Sequence, residues 1–336
     1  MPLKIFLIMT AIFPSLTWAH WSKQPDDNLK VEFGIKTPVL SYDIKAPSDI
    51  SSSQLKYKPN TNSKTALGFS YRNIGLSISG NNPTSEDSNN KYGKTSSTDF
   101  QLRFFGKRTY EFFYQTYSGY YIENSSEIDP SYSNTDIKIQ RSDIKTKNYG
   151  FNLYWNLDDK DFSQAVAYDQ LGVQKESAWG LSWLLHASQS SIESDSTLIP
   201  DTSPIKSSFG SVADIKDLHR NSLAGGIGIG GILSYHNFYL ASLFALGLGY
   251  QSFNYQTINS TGGSSTDTGT YASFRASLGY NGQKNIFGVQ LLNDSVNTNI
   301  LKGQITGVTT EAKIFYAYRF EGVDISFLNY LSSWFD

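Results

Sequence analysis

Two side chains in this sequence have the residue types and the spacing of a base and a nucleophile. His186 and Ser188 are two residues apart, so on a β-strand they lie on the same face. A histidine that accepts the proton of a serine hydroxyl activates it for attack on an ester, as in a lipid hydrolase. No carboxylate is placed to orient the imidazole, although Glu193 follows nearby. We therefore predict no catalytic residue and no enzymatic activity, and lipid hydrolysis is the weakest functional hypothesis.

Other patterns that could bind a metal or a cofactor lack the context they need. The sequence contains no cysteine, which excludes disulfides and thiolate ligands. The acidic pair Glu86-Asp87 lacks the ligand spacing of a calcium loop. The glycine-rich stretch 225–231 alternates glycine with apolar residues inside a strand, where glycine permits the close approach of an inward plug or a tight curve of the strand. A dinucleotide fingerprint needs a turn and a helix instead. We predict no metal and no cofactor.

The elements that must position these side chains are β-strands. Apolar residues alternate with small or polar ones over 271–280 and again over 311–320. Successive side chains of a strand point to opposite faces, so each segment has one apolar and one polar face. About a dozen such segments joined by polar turns are typical of a transmembrane β-barrel. We predict an all-β fold, an antiparallel transmembrane β-barrel of about 12 strands, within a range of about 10–14.

The predicted connections between strands are of two lengths. Short turns are predicted at Arg72-Asn73, at 158–160 and at Glu321-Gly322. A further strand is predicted from Phe162 to Tyr168. Long polar loops are predicted at about 81–96, 123–146, 190–218 and 254–267. Outer-membrane barrels have this asymmetry, with short periplasmic turns and longer loops outside. With a hairpin at 321–322 the chain would end on the loop side, so one strand of this prediction is miscounted.

The N-terminal residues have the features of an export signal. Lys4 precedes an apolar stretch from Ile5 to Phe13, and a cleavage site is predicted after Ala19. We predict a cleaved signal peptide (1–19), an N-terminal linker (20–29) and a single barrel domain (30–336). The predicted location is the outer membrane of a Gram-negative bacterium. The expected partners are therefore outer-membrane lipid and the barrel assembly machinery.

Composition excludes some classes of protein. Charged residues make up 17% of the chain and aromatic residues 15%, with a net charge of −2. A disordered secreted chain has fewer aromatic residues and more charge. Nucleic acid is excluded as a partner, because there is no basic stripe. A soluble β-sandwich would also alternate, but the long strands and the Trp or Tyr residues near their ends favour a barrel in a membrane.

Charged residues on the polar faces are predicted to point into the barrel lumen. Two hypotheses remain open for them. They form a packed network of paired charges in a narrow barrel, or they line a water-filled pore and set its ion preference. The first favours a narrow barrel of unassigned activity with long surface-exposed loops; the second favours a porin-like channel for a small or hydrophobic solute. The candidate lumen-lining residues are Arg103, Glu111, Arg275, Lys313 and Arg319.

Three stretches carry a resemblance to a known family. They are Tyr57-Lys58-Pro59-Asn60, the glycine-alternating run 67–77 and the run 174–180. In these stretches the chain resembles the bacterial family catalogued as domain of unknown function 4421. The resemblance covers most of the mature chain and implies an outer-membrane barrel. That family has no assigned activity, so the resemblance implies a fold and a location and no site residues.

Overall fold

A computed structural model describes residues 21–23, 28–106, 108–157, 162–201, 203–259 and 262–334. The predicted signal peptide (1–19) and the turn predicted at 158–160 lie outside these residues. The strands of the described chain are β1 (Trp21–Lys23), β2 (Leu29–Lys45), β3 (Gln54–Lys58), β4 (Lys64–Tyr71), β5 (Ile74–Asn81), β6 (Ser96–Phe105), β7 (Arg108–Ile122), β8 (Ile139–Asn156), β9 (Gly172–Gln174), β10 (Ala178–Glu193), β11 (Ile215–Tyr235), β12 (Phe238–Thr257), β13 (Gly262–Asn281), β14 (Asn285–Ile300) and β15 (Gly303–Phe320). The helices are α1 (Glu86–Tyr92), α2 (Ser125–Ile128), α3 (Gln164–Asp169) and α4 (Ser326–Ser332), with 3₁₀ segments at Pro130–Tyr132 and Lys206–Asp214.

Twelve of these strands form one closed antiparallel ring. β2 pairs with β4, the strands from β4 to β8 and from β10 to β15 pair in chain order, and β8 pairs with β10. The ring closes where β15 pairs with β2, with Phe320 opposite Leu29. The short strand β3 bridges β2 and β7 at their loop ends. The predicted antiparallel β-barrel of about 12 strands is confirmed.

The apolar face of each strand lies on the outside of the ring. Along β13, Phe274 and Leu278 are exposed, whereas Tyr271, Ser273 and Arg275 are buried. The alternation in the sequence therefore assigned the apolar face correctly. The exposed apolar side chains of the other strands include Phe33, Ile35, Leu67, Phe69, Leu76, Ile78, Phe112, Trp155, Trp179, Leu181, Trp183, Ile227, Ile229, Phe244, Leu246, Phe287, Val289, Leu291, Ile314 and Tyr316.

The hairpin turns explain the strand count. β4 and β5 are joined at Arg72-Asn73 as predicted. The turn between β14 and β15 escaped prediction because Leu301 and Lys302 adopt positive φ angles of 49° and 66° without the usual Gly or Asn. The hairpin predicted at Glu321-Gly322 is wrong, since β15 ends at Phe320 and α4 follows. With both corrections β2 begins and β15 ends on the same side of the barrel, the turn side.

The strand predicted from Phe162 to Tyr168 is also wrong. These residues begin an inward segment, residues 162–174, which we call the plug; it contains α3 and β9. Ser163 caps α3 by accepting a hydrogen bond from the Val166 amide, and Ala167 is fully buried. A short apolar run fits a strand and a buried helix equally well, so periodicity could not separate them. β9 pairs with β1, which lies within the predicted linker.

A second inward segment closes the loop side of the barrel. It consists of residues 198–201 and 203–213, which we call the cap. Leu198, Phe209 and Val212 of the cap pack with inward-facing side chains of the ring, such as Ile44 and Ile305, in one apolar core. The strands on either side are longer than predicted, because β10 reaches Glu193 and β11 begins at Ile215. The loop predicted at 254–267 is likewise mostly strand, since β12 and β13 leave four residues between them.

The chain after the barrel packs against the turn-side rim. The Tyr71 hydroxyl of β4 donates to Asn329 Oδ1 at 2.8 Å and accepts from the Ile325 amide at 3.3 Å. These contacts hold α4 beside the rim, with the aromatic rings of Phe327 and Tyr330 exposed. Across the described ranges, no helix is long and apolar enough to span a membrane.

Candidate functional site

A chamber lined by both polar and apolar side chains lies inside the ring, between the plug and the cap. Its volume is about 50 Å³, enough for a few water molecules. Side chains from most of the ring line it, with Tyr42 and Arg220 near the cap, His186 and Ser188 at mid-height, and Glu111 towards the plug. The chamber therefore contains both sequence candidates, the His186–Ser188 pair and part of the lumenal charge network.

His186 is the centre of a three-residue hydrogen-bond relay. Its Nδ1 lies 2.7 Å from Asn152 Oδ1, and its Nε2 lies 2.9 Å from Ser188 Oγ. The amide oxygen can only accept, so Nδ1 carries the proton and Nε2 accepts from the serine hydroxyl. The imidazole is stacked on the Tyr271 ring, 4.1 Å between centroids. This is the arrangement of a base, a nucleophile and an orienting group.

The orienting group, Asn152, was missed by sequence reasoning, which looked for a carboxylate. In the ring, Asn152 of β8 lies directly opposite His186 of β10, and Gly150 lies opposite Ser188. A Cβ at Gly150 would lie 2.9 Å from Ser188 Cβ. Glycine at position 150 therefore avoids a clash with the Ser188 side chain. The pairing of β8 with β10 is the signal that identifies Asn152. The plug lies between the two strands in the sequence, so no tight turn specifies their register.

Three of the five candidate lumen residues form one ion-pair network. Arg103 Nε donates to Glu111 Oε1 at 2.9 Å, and both terminal nitrogens of Arg275 donate to the same carboxylate. Asn152 Nδ2 also donates to Glu111 at 3.1 Å, which links this network to the relay. Arg103 Nη1 continues to Asp169 of the plug at 2.7 Å. Two carboxylates, Glu111 and Asp169, therefore compensate two guanidinium groups inside the barrel.

The other two candidates take different partners. Lys313 pairs with Glu32 at 2.7 Å, on the seam between β15 and β2. Arg319 donates to the backbone oxygens of Gln170 and Gly282 and to Asn281 Oδ1. Carbonyl dipoles thus solvate the charge of Arg319, and its hydrogen bond to Gln170 connects the end of β15 to the plug. All five candidate side chains point inward, and their role as the lining of a pore remains a prediction.

Glycines of the ring make room for the plug. Gly180 and Gly230 lie opposite each other on β10 and β11. A Cβ at Gly230 would be 2.8 Å from Phe162 Cε1, and one at Gly180 would be 3.3 Å from Phe162 Cβ. The Phe162 side chain therefore occupies the space that larger residues would fill. Polar contacts also hold the plug. Lys30 Nζ donates to the backbone oxygen of Asp169 at 2.6 Å, and Gln290 Nε2 donates to the backbone oxygen of Tyr168 at 2.7 Å.

The cap is held by one buried arginine. Arg141 donates from Nε and Nη2 to the two carboxylate oxygens of Asp143, each at 2.8 Å. Its Nη1 donates to the Tyr57 hydroxyl at 3.0 Å, and that hydroxyl donates to the backbone oxygen of Leu198. At the cap surface, a hydrogen bond from Lys206 lowers the pKa of the Asp201 carboxyl. Polar anchors thus join the apolar core in holding the cap inside the ring.

Metal binding finds no support in the part of the chain that the structure describes. No group of three or more His, Cys, Asp or Glu side chains there is arranged to hold an ion.

Comparison with known proteins gives a family and several similar solved structures. The profile of a family described as "Domain of unknown function (DUF4421)" matches residues 19–320. No curated protein matches the chain. Similar solved structures include the outer membrane protease OmpT from Escherichia coli (12% identity, 91% of this chain and 99% of that chain, TM-score 0.43) and the COG4313 outer membrane channel from Pseudomonas putida F1 (12% identity, 92% and 100%, TM-score 0.36). At these identities and TM-scores the likeness carries no argument about activity.

Proposed function

We propose that this chain, which belongs to the family described as domain of unknown function DUF4421, is an integral protein of the bacterial outer membrane with a closed barrel. The observation that carries this proposal is the filling of the lumen from both ends, by the plug and by the cap. Between them lies a chamber of about 50 Å³. The barrel then serves as a scaffold for its loop-side surface.

The outer surface supports insertion into lipid. Strand after strand exposes large apolar side chains, and a belt of this size is unfavourable in water. Aromatic residues such as Trp155, Trp179, Tyr250 and Tyr316 are exposed among them, as in the girdles of outer-membrane barrels. Outer-membrane lipid is the partner this surface fits. Cleavage of residues 1–19 and insertion by the barrel assembly machinery remain predictions.

The loop-side surface is held in one arrangement by contacts between connections. Asn60 Nδ2 donates to the Gly93 oxygen at 2.6 Å, after α1. Lys91 of α1 pairs with Asp136 at 3.0 Å, and this hydrogen bond raises the pKa of the Lys91 amine. Connections that are joined by hydrogen bonds and ion pairs in this way present a fixed surface, which supports a role in surface recognition.

The porin-like alternative requires a continuous water path. The diameter of a barrel grows with strand number, and large aqueous channels come with about 16 or more strands. Inside this ring, Tyr117, Tyr154, Tyr239 and Leu243 are buried among the charged residues. These side chains, the plug and the cap together support a lumen that is closed to solutes.

The purified protein is expected to show no unit conductance in planar bilayers. Because intact barrels resist SDS until they are boiled, the unboiled protein should run at a different gel position from the boiled one, which establishes that a folded barrel is being measured. A variant lacking residues 162–174 and 198–213 serves as the positive control for pore formation. Discrete current steps from the unaltered protein would establish the channel instead.

A second candidate function, acyl transfer, is favoured by one observation. Asn152 supplies the orienting group for His186 that a serine nucleophile requires. In that reaction Ser188 Oγ would attack an ester carbonyl while its proton passes to His186 Nε2. The ester C–O bond would then break, and His186 would return the proton to the departing alcohol. The chamber admits a small acyl group only, so a long-chain lipid would need movement of the plug or the cap.

Ser188 is expected to react with methanesulfonyl fluoride, a probe as small as the acyl group that the chamber admits, if the relay is catalytic. The Oγ–S bond forms, the S–F bond breaks, fluoride leaves, and the serine proton passes to His186. His186→Gln should slow the labelling by about 10²–10⁴-fold, because the base is lost. Mass spectrometry of the peptide that contains Ser188 measures the rate of labelling. Ser222→Ala, on the neighbouring inward position, should leave labelling unchanged; an unlabelled Ser188 would reduce the relay to a structural hydrogen-bond network.

A further inference from the structure

Arg220 carries a buried charge that its surroundings leave uncompensated. The side chain points inward from β11 and is 6% exposed. Its Nη1 donates to Thr298 Oγ1 at 2.9 Å and more weakly to the Val296 oxygen at 3.5 Å, while Nε has no hydrogen-bond partner. Within the described ranges, no carboxylate forms an ion pair with this guanidinium. A guanidinium cannot lose its proton in a protein, so the charge persists.

The other arginines inside the barrel show what is missing at Arg220. Arg103 and Arg275 share the carboxylate of Glu111, and Arg141 is paired with Asp143. Arg319 has four oxygen atoms around its terminal nitrogens, three from the backbone and one from Asn281. An uncompensated buried charge is strongly unfavourable. No described carboxylate contacts Arg220, so a small anion or ordered water beside the guanidinium would supply the missing partner.

Space for such a ligand exists beside the guanidinium. Arg220 lines the chamber of about 50 Å³. Gly307 of β15 keeps this end open, because a Cβ there would lie 3.7 Å from Arg220 Nη2 and 3.4 Å from the Tyr42 ring. The hydroxyl of Thr309 also lines the chamber and can donate a hydrogen bond. The volume fits one small ion with a few waters.

The charges around the chamber limit the ligand to a single negative charge. Glu111 and Asp294 line it as well. Glu111 is neutralised by its two arginines, whereas Asp294 Oδ1 has no hydrogen-bond partner. A multivalent anion would be repelled by the Asp294 carboxylate more strongly than a monovalent one. We propose that the chamber binds one small monovalent inorganic anion, of the size of chloride or bromide, at the guanidinium of Arg220.

The test uses bromide as the probe. Crystals of the unaltered protein soaked in sodium bromide should show one anomalous peak in contact with the Arg220 guanidinium, and Arg220→Gln crystals should lack it. A soak that leaves water alone at this position overturns the proposal. This measurement needs no variant, so it decides the question even if Arg220→Gln does not fold.

Solution stability gives an independent readout. The temperature at which the folded gel band is lost should be higher in sodium chloride than in sodium gluconate, whose anion is too large for the chamber, with one-site saturation. Arg220→Gln should abolish this difference. Arg108→Gln removes the same charge at the exposed rim and should keep it. If chloride still stabilises Arg220→Gln, the chloride binds at a different site, and the proposal is contradicted.

Discussion

Replacing Glu111 with glutamine is expected to destabilise the barrel by about 3–5 kcal/mol, because breaking a buried ion pair leaves its partner charges uncompensated. Glu111 is 3% exposed and accepts hydrogen bonds from Arg103, Arg275 and Asn152. A neutral amide of the same shape keeps the packing and removes the charge. Arg103 retains Asp169 as a partner, whereas Arg275 has its ion pair with Glu111 alone among the described residues, so the loss at Arg275 is the larger.

Chemical unfolding in detergent micelles, followed by tryptophan fluorescence, measures this change in the free energy of unfolding. Glu321→Gln is the matched control, since Glu321 pairs with Lys284 at 3.5 Å and both side chains are about half exposed. An exposed pair of this kind contributes about 0–1 kcal/mol. If the two variants unfold alike, the lumenal network adds little to stability, and the packing hypothesis for these charges loses its main support.

Replacing Gly230 with valine is expected to release the plug from the ring. A Cβ at this position would lie 2.8–3.0 Å from the Phe162 ring, and valine adds two further methyl groups. Overpacking of this kind costs about 1–3 kcal/mol, which corresponds to an increase of about 5- to 150-fold in the population with the plug undocked. The ring itself remains paired, because the strain falls on the side chains of Phe162 and Leu243 and not on the backbone.

A thiol in the plug reports this opening. The sequence has no cysteine, so Ala167→Cys places a unique thiol at a fully buried position of α3. Its reaction with a water-soluble maleimide should be about 5- to 150-fold faster in the Gly230→Val background. Gly225→Val is the control on the same strand, because a Cβ at Gly225 has no atom within 4 Å. Equal labelling rates in the two backgrounds would mean that Phe162 does not hold the plug in place.

Alternation in the amino-acid sequence determined the ring. Side chains of a strand point to opposite faces, so local pattern alone separated Phe274 and Leu278 outside from Ser273 and Arg275 inside. The same pattern gave about 12 strands and placed the five lumenal candidates on inward faces. Short turns could be predicted where they contain a residue typical of tight turns, such as the asparagine of Arg72-Asn73. They could not be predicted where such a residue is missing, as at Leu301-Lys302.

Tertiary structure decided what fills the ring. Asn152 meets His186 because β8 and β10 pair across 34 residues, and the intervening plug leaves no turn from which to predict that register. The plug and the cap carry no periodic signal of a strand, because they are built mostly of short helical turns and irregular segments that place polar and apolar residues without regular alternation. Ion-pair partners such as Glu111 and Arg275 are 164 residues apart. Their contact follows from the closure of the ring, which no local pattern in the sequence encodes.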